Sequence, residues 1–381
     1  MQTDYRQYFF PDYRSCRQAF RDTLASADHN LPTDMIITPG QLSVDTDRDL
    51  TIDTALLTGR EPSPNLMLIS SGLHGAEGFA GSALQLCFIR EVLPAIFRNQ
   101  HSLHCDILLL HGLNPYGFMH MRRVDAFNVD LNRNFLMNAE QFENQNKGYA
   151  AIQELLNPAR PVQAHDLDPA GLADHLEELG RRFQQRELTE AIVRGQYAFP
   201  EGIYFGGQQF AAQRSLLEPF LTDIFGRYER ILAIDIHTGY GRRDHLHFFP
   251  DVESADVREL IRRLFAGHHI DWADDEGFYR VTGEFVNYMH ALCAPEQIYI
   301  PMIFEFGTLD SHLPAGGLAS VHNMILENQG HHYGYATDDV RRETLRRFRE
   351  MFYPSDPGWK KAVIEQGRTV LAQLPERLAA L

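Results

Sequence analysis

The sequence predicts an α/β protein: a mixed, mainly parallel β-sheet sandwiched by helices, with a helical insertion. Three observations lead there. Short apolar runs such as NLMLISS and DILLLHG have the continuous hydrophobicity of strands buried on both faces. Helical stretches separate them, and the order strand, helix, strand implies parallel pairing. Each of the most apolar runs ends in an ionisable residue beside glycine.

The elements follow in order. Residues 1–32 form a helical lead-in, with apolar spacing in SCRQAFRDTLASA. DMIITPG and LTIDTALLTG are two strands separated by turn residues. NLMLISSGLHG is a buried strand, GSALQLCFIREVLPAIF a helix to about Arg98, and HCDILLLHG a second buried strand. Residues 137–229, rich in Gln, Glu, Arg and Ala, read as a mainly helical insertion. RILAIDIHTG and HLHFFP resume the sheet, VESADVRELIRRLFAG is an amphipathic helix, and IYIPMIFEFGT is a last strand. A charged helical tail occupies 338–381. The 381 residues thus read as one domain, 1–381, interrupted by an insertion.

Composition narrows the function. The formal net charge of -16 disfavours a nucleic-acid partner. The four cysteines, Cys16, Cys87, Cys105 and Cys293, form no CxxC pair, which suits reduced thiols and a cytoplasmic location. No secretory signal is visible, and no apolar stretch approaches a membrane span. GxSxG, the P-loop and the dinucleotide fingerprint are all absent.

Three polar signals stand where buried strands end: HGAE at 74–77, DIHTG at 235–239 and FEFGT at 304–308. The carboxyl ends of parallel strands are where α/β sites assemble. A lone histidine among 18 carries little weight. His74, Glu77 and His237 together make a two-imidazole, one-carboxylate set, the donor combination of hydrolytic zinc, with a fourth position left for water. Such a zinc ion lets water ionise near pH ~7 rather than ~16. HExxH is absent, so this is not a helix-borne site. Glu305, directly after MIF, is costly to bury without a task and suits a general base. His245 and His247 flank a strand and read as structural.

The segment NPYGFMHMRRVDAFNVDLNRNF, 114–135, concentrates Arg122, Arg123, Asn132 and Arg133. Guanidinium forks bind carboxylates, so the segment suits the anionic end of a substrate. Asp130 there suits the second nitrogen of a metal-bound imidazole.

HGAE, NPYGF, DLNRNF, DIHTG and FEFGT, taken in that order, resemble the zinc carboxypeptidases related to carboxypeptidase A. The superfamily includes the aspartoacylase and succinylglutamate desuccinylase amidohydrolases, and the chain looks closest to a poorly characterised bacterial branch. The resemblance spans about residues 66–310. It implies one zinc ion held by His74, Glu77 and His237, with Asp130 behind His74. It implies that Asn132 and Arg133 bind the substrate carboxylate and that Glu305 is the general base. Arg123 or Arg122, with Arg123 preferred, polarises the scissile carbonyl. A substrate-capping tyrosine falls at Tyr279, whose spacing to the following glycine differs by one residue from the family's; Tyr288 and Tyr240 fit less well. The gap between Glu77 and His237 exceeds that of the peptidases, in keeping with an insertion.

The activity expected is zinc-dependent hydrolysis of an amide or C-terminal peptide bond in a small-molecule or peptide substrate with a free carboxylate. One alternative is deacylation of small N-acyl amino acids. Another, of a different class, is a catalytically inactive, metal-stabilised binding protein.

Overall fold

The computed structural model describes residues 4–27, 35–100, 103–181, 185–272 and 281–381. Seven strands form one sheet: β1 (Ile36–Asp45), β2 (Leu50–Thr58), β3 (Asn65–Ser71), β4 (Asp106–His111), β5 (Arg230–Gly239), β6 (Leu246–Phe249) and β7 (Ile298–Gly307). Their order is β1-β2-β4-β3-β5-β7-β6. The four central strands β4, β3, β5 and β7 are parallel, and β1, β2 and β6 add antiparallel edges. The expected α/β architecture is present.

The central strands are uninterrupted apolar runs because both of their faces are covered. Alternate residues enter different cores, as the two-residue strand period requires. Met67, Ile69, Leu109 and Ile234 join one core with the helices Tyr13–Ala27, Gly78–Cys87 and Pro357–Leu371. Leu66, Leu68, Leu110 and Ala233 join the other with the helices Ala212–Phe225 and Phe285–Ala291. By length and composition the helical run Gly75–Arg98 is apolar enough to cross a membrane, contrary to the sequence expectation, but 78% of its apolar window lies inside the fold.

Residues 137–229 divide into two parts. Ala212–Phe225 belongs to the sheet's own helical layer, where Leu217, Leu221 and Phe225 pack beneath the strands. The earlier helices Lys147–Leu156, Ala170–Gly180 and Gln185–Val193 build a third apolar cluster against the helices Pro314–Tyr333 and Asp338–Phe352. Pro314–Tyr333 has no counterpart in the sequence reading. Its glycines hide it, yet they serve packing: a Cβ at Gly330 would stand 2.1 Å from the Tyr335 ring, and one at Gly316 would stand 2.2 Å from Leu309 O.

Candidate active site

The strand β3 leaves the sheet through Gly72, whose φ of +70° favours glycine. His74 follows, then a 3-10 turn, Gly75–Glu77. Gly75 is there for proximity: a Cβ on it would stand 2.1 Å from Gly117 C. That close approach lets Gly75 N donate to Arg123 O at 3.1 Å and Ala76 N donate to Arg122 O at 2.8 Å. The HGAE turn and the arginine segment are thereby joined through their backbones.

His237 arrives from β5, the neighbour of β3, and its partner in register on β7 is Glu305. His74 Nδ1 lies 2.8 Å from Glu77 Oε1, His237 Nδ1 lies 3.0 Å from Glu77 Oε2, and the two Nδ1 atoms are 3.2 Å apart. Donors placed about 2.0–2.1 Å from a tetrahedral zinc stand about 3.3 Å from one another. Among the described residues this is the one group of three His, Cys, Asp or Glu side chains whose ligand atoms converge, all within 4.8 Å of each other.

The other imidazole nitrogens are also occupied. His237 Nε2 lies 2.7 Å from Asp235 Oδ2, and Ser70 Oγ donates to Asp235 Oδ1 at 2.7 Å. His74 Nε2 lies 3.4 Å from Asp130 Oδ1 and accepts from Arg123 Nη2 at 2.7 Å. With a cation on Nδ1, Nε2 carries the ring proton and Asp130 becomes its acceptor. The donor set therefore fits zinc, and so does the charge. The carboxyl groups of Glu77, Asp130, Asp235, Glu284 and Glu305 gather around one cavity and the layer behind it, with Arg123 paired to Asp130 and Asp235 to His237.

Titration follows the same layout. Burial opposes the charge on Glu77, but the His74 and His237 charges outweigh it and hold the carboxyl below its ordinary value. Burial also opposes the charge on His237, while Asp235 and Glu77 hold its pKa well above the usual. Burial opposes ionisation of Asp130 too, yet Arg123 and Arg133 hold it well below. Glu305 goes the other way: burial, then the Glu77 charge, push it up to about 8. Its Oε1 accepts the Tyr240 N–H at 2.9 Å.

The two arginines of the MRRV step separate. Arg123 Nε donates to Asp130 Oδ2 at 2.9 Å and the side chain reaches His74 of the His74, Glu77 and His237 cluster. Arg122 turns the opposite way, its Nε donating to Glu327 Oε1 at 2.7 Å, and it does not line the cavity. Of the two arginines expected to compete for the carbonyl-polarising position, only Arg123 lines the cavity. Asn132 Oδ1 accepts the Phe285 N–H at 3.0 Å. Arg133 Nε and Nη2 donate to Val193 O at 3.0 and 2.6 Å, and its Nη1 donates to Asn132 O at 2.9 Å. Both residues line the cavity. Tyr279 lies outside the described residues. Tyr288 is buried in the sheet core with its hydroxyl on Glu218 at 2.6 Å, whereas Tyr240 lines the cavity. His247 sits 3.3 Å from Asp271 and accepts the Arg242 N–H at 3.0 Å, a bracing role within β6 and its turn.

Three residues of the site escape the sequence reading. Asp235 had a usable signal: it stands two residues before His237, on the same face of the strand. Tyr204 had none. It comes from the insertion with φ +55°, and its ring lies 5.5 Å from the Arg123 guanidinium carbon and 5.6 Å from that of Arg133. Glu284 stood unused in the VTGEF stretch. It lines the cavity, and burial, then Asp251, raise its carboxyl to about 7.

The cavity has a volume of about 1020 Å³. A family model described as "protein of unknown function (DUF2817)" matches residues 9–366. No curated protein sequence matches. The fold is similar to that of thrombin activatable fibrinolysis inhibitor, at 11% identity, covering 100% of this chain and 77% of that one with a TM-score of 0.51. Carboxypeptidase A from Helicoverpa armigera shares 13% identity over 89% of this chain and 73% of its own, at a TM-score of 0.47. A succinylglutamate desuccinylase from Chromobacterium violaceum shares 14% over 82% and 72%, at a TM-score of 0.38. The likeness to thrombin activatable fibrinolysis inhibitor is one of fold.

Proposed function

The chain belongs to the DUF2817 family of proteins of unknown function, and we propose that it is a zinc-dependent hydrolase of an amide or C-terminal peptide bond in a carboxylate-bearing substrate. The observation that carries this reading is the convergence of His74 Nδ1, Glu77 and His237 Nδ1 beside Glu305, all at the carboxyl ends of parallel strands. A zinc ion held there supplies Lewis acidity to a carbonyl and acidity to water. The chain's own groups do the rest. Asn132 and the uncommitted N–H groups of Arg133 receive the substrate carboxylate. Arg123 faces the carbonyl oxygen and stabilises the charge that develops on it. Glu305 takes a proton from the attacking water and passes it to the amine nitrogen, as the C–O bond forms and the C–N bond breaks.

A second reading, deacylation of N-acyl amino acids, is supported by one feature. The insertion lies directly on Arg133 through Val193 O and walls the same cavity with Leu188 and Ile192, a lining suited to an acyl group.

The deciding experiment is a panel of N-acyl amino acids and peptides, offered to the zinc-loaded protein and to Glu305→Gln. Turnover by the wild type, with kcat lower by about a hundred- to ten-thousandfold in the variant and zinc content equal in both, is the expected result. No turnover on any amide, or full activity in the variant, would overturn the proposal and favour a metal-stabilised binding protein.

A further inference from the structure

The cavity is divided by chemistry. Its floor carries His74, Glu77, Arg123, Arg133, Glu284 and Glu305. The rest of its lining is mainly aliphatic, with Glu177, Arg181, Thr189 and Ser320 interspersed, and most of its aliphatic side chains come from helices. The insertion helix Gln185–Val193 contributes Leu188 and Ile192, and the helix Pro314–Tyr333 contributes Leu318, Val321 and Met324. These residues belong to one apolar cluster distinct from the two cores that cover the sheet.

The volume, about 1020 Å³, is at the upper end of small-molecule sites. It corresponds to roughly thirty waters at ~30 Å³ each, more than an amino acid with a short acyl group displaces. The wall is also fixed to the floor. Arg133 holds Val193 O with two hydrogen bonds, and Gly195, at φ +105°, packs where a Cβ would stand 2.7 Å from Arg133 Cδ. A cavity that combines charged donors with a mainly aliphatic stretch of lining is complementary to an amphiphile.

We propose that the substrate is an N-acyl amino acid with a long aliphatic acyl chain. Its carboxylate and scissile amide lie on the charged floor and its acyl tail runs along the wall of Leu188, Ile192, Leu318, Val321 and Met324. The inference rests on the hydrolase reading above. Water supplies the new C–O bond, the C–N bond breaks, and the products are a fatty acid and a free amino acid. Each methylene laid on the wall leaves water, so affinity rises with chain length until the wall is covered.

The test separates binding from chemistry. Binding of N-acetyl-, N-octanoyl- and N-dodecanoylglycine to zinc-loaded Glu305→Gln is measured by calorimetry below the micellar concentration. The kcat/KM of the wild type is measured for the same series. Affinity rising at least a hundredfold from acetyl to dodecanoyl, with kcat/KM rising in parallel, is the expected result. Leu318→Gln, placed in the Glu305→Gln background and checked for an unchanged melting temperature, weakens dodecanoylglycine at least tenfold more than acetylglycine. Equal affinity along the series, or no effect of Leu318→Gln, would overturn the chamber and leave the hydrolase reading standing. Tight dodecanoylglycine binding without hydrolysis of any amide would sink the hydrolase reading and leave the chamber standing.

Discussion

The floor of the cavity and its far wall hold their residues by different means. On the floor, several charged groups are fixed by opposite charges: Glu77 by two imidazoles, His237 by Asp235, Arg123 by Asp130. On the wall, side chains are fixed by packing among helices that contribute no residue to the metal cluster. The boundary runs through one dipeptide. Arg123 belongs to the floor, and Arg122 crosses behind it to Glu327 on the wall helix Pro314–Tyr333. The lesson is that a charged floor needs nearby strand ends, whereas the wall needs only a surface to lean on, so it tolerates a long insertion.

The largest effect expected is at the centre of the floor. His74→Ala removes one of three convergent donors and abolishes stoichiometric zinc together with turnover, measured by metal analysis and assay on one sample. Retained zinc would break the contrast at its root. Next come the adjacent arginines, which respond in different measurements. Arg123→Ala lowers kcat by about a hundred- to a thousandfold, a loss larger than the destabilisation from unpairing buried Asp130 would produce in the folded fraction. Arg122→Ala leaves Glu327 buried and unpaired and costs about 3–5 kcal/mol of stability in chemical denaturation. If the two variants behave alike, the boundary drawn between them is wrong.

A smaller effect is expected behind the floor. Asp235→Asn weakens zinc binding by about ten- to a hundredfold, read by competition with a chelator, because the amide orients the His237 ring without supplying charge. The smallest concerns Glu284, whose carboxyl is raised from the ordinary 4.5 to about 7, by burial first and by Asp251 second. Its facing charges include Arg133, His237 and Asp235. A raised folded-state pKa means that the stabilising contribution is whole below pH 4.5 and is lost as pH rises through about 7. Glu284→Gln therefore raises the melting temperature of the protein at pH 8 by a few degrees and changes it little at pH 4.5. Equal shifts at both pH values would show that the carboxyl ionises freely.

Much of the floor was readable in the chain because its chemistry is local to motifs. His74, Glu77, His237 and Glu305 each follow an apolar run, and the structure brings the four together. Asp235 was equally readable from the strand period. The wall was not. Leu188 and Ile192 look like any amphipathic helix, and the glycines of Pro314–Tyr333 disguise a helix whose small residues answer to neighbours such as Tyr335. Tyr204 reaches the arginines only because the insertion folds back over them.

By itself the sequence determined the alternation of strand and helix, the parallel core and the donor types at the strand ends. Strand periodicity and the cost of burying an ionisable side chain both act over a few residues. Only the tertiary structure decided which of two adjacent arginines faces the metal cluster, which carboxylate stands behind His237, and what the insertion covers. Those outcomes depend on contacts between segments far apart in the chain, whose distances no local pattern encodes.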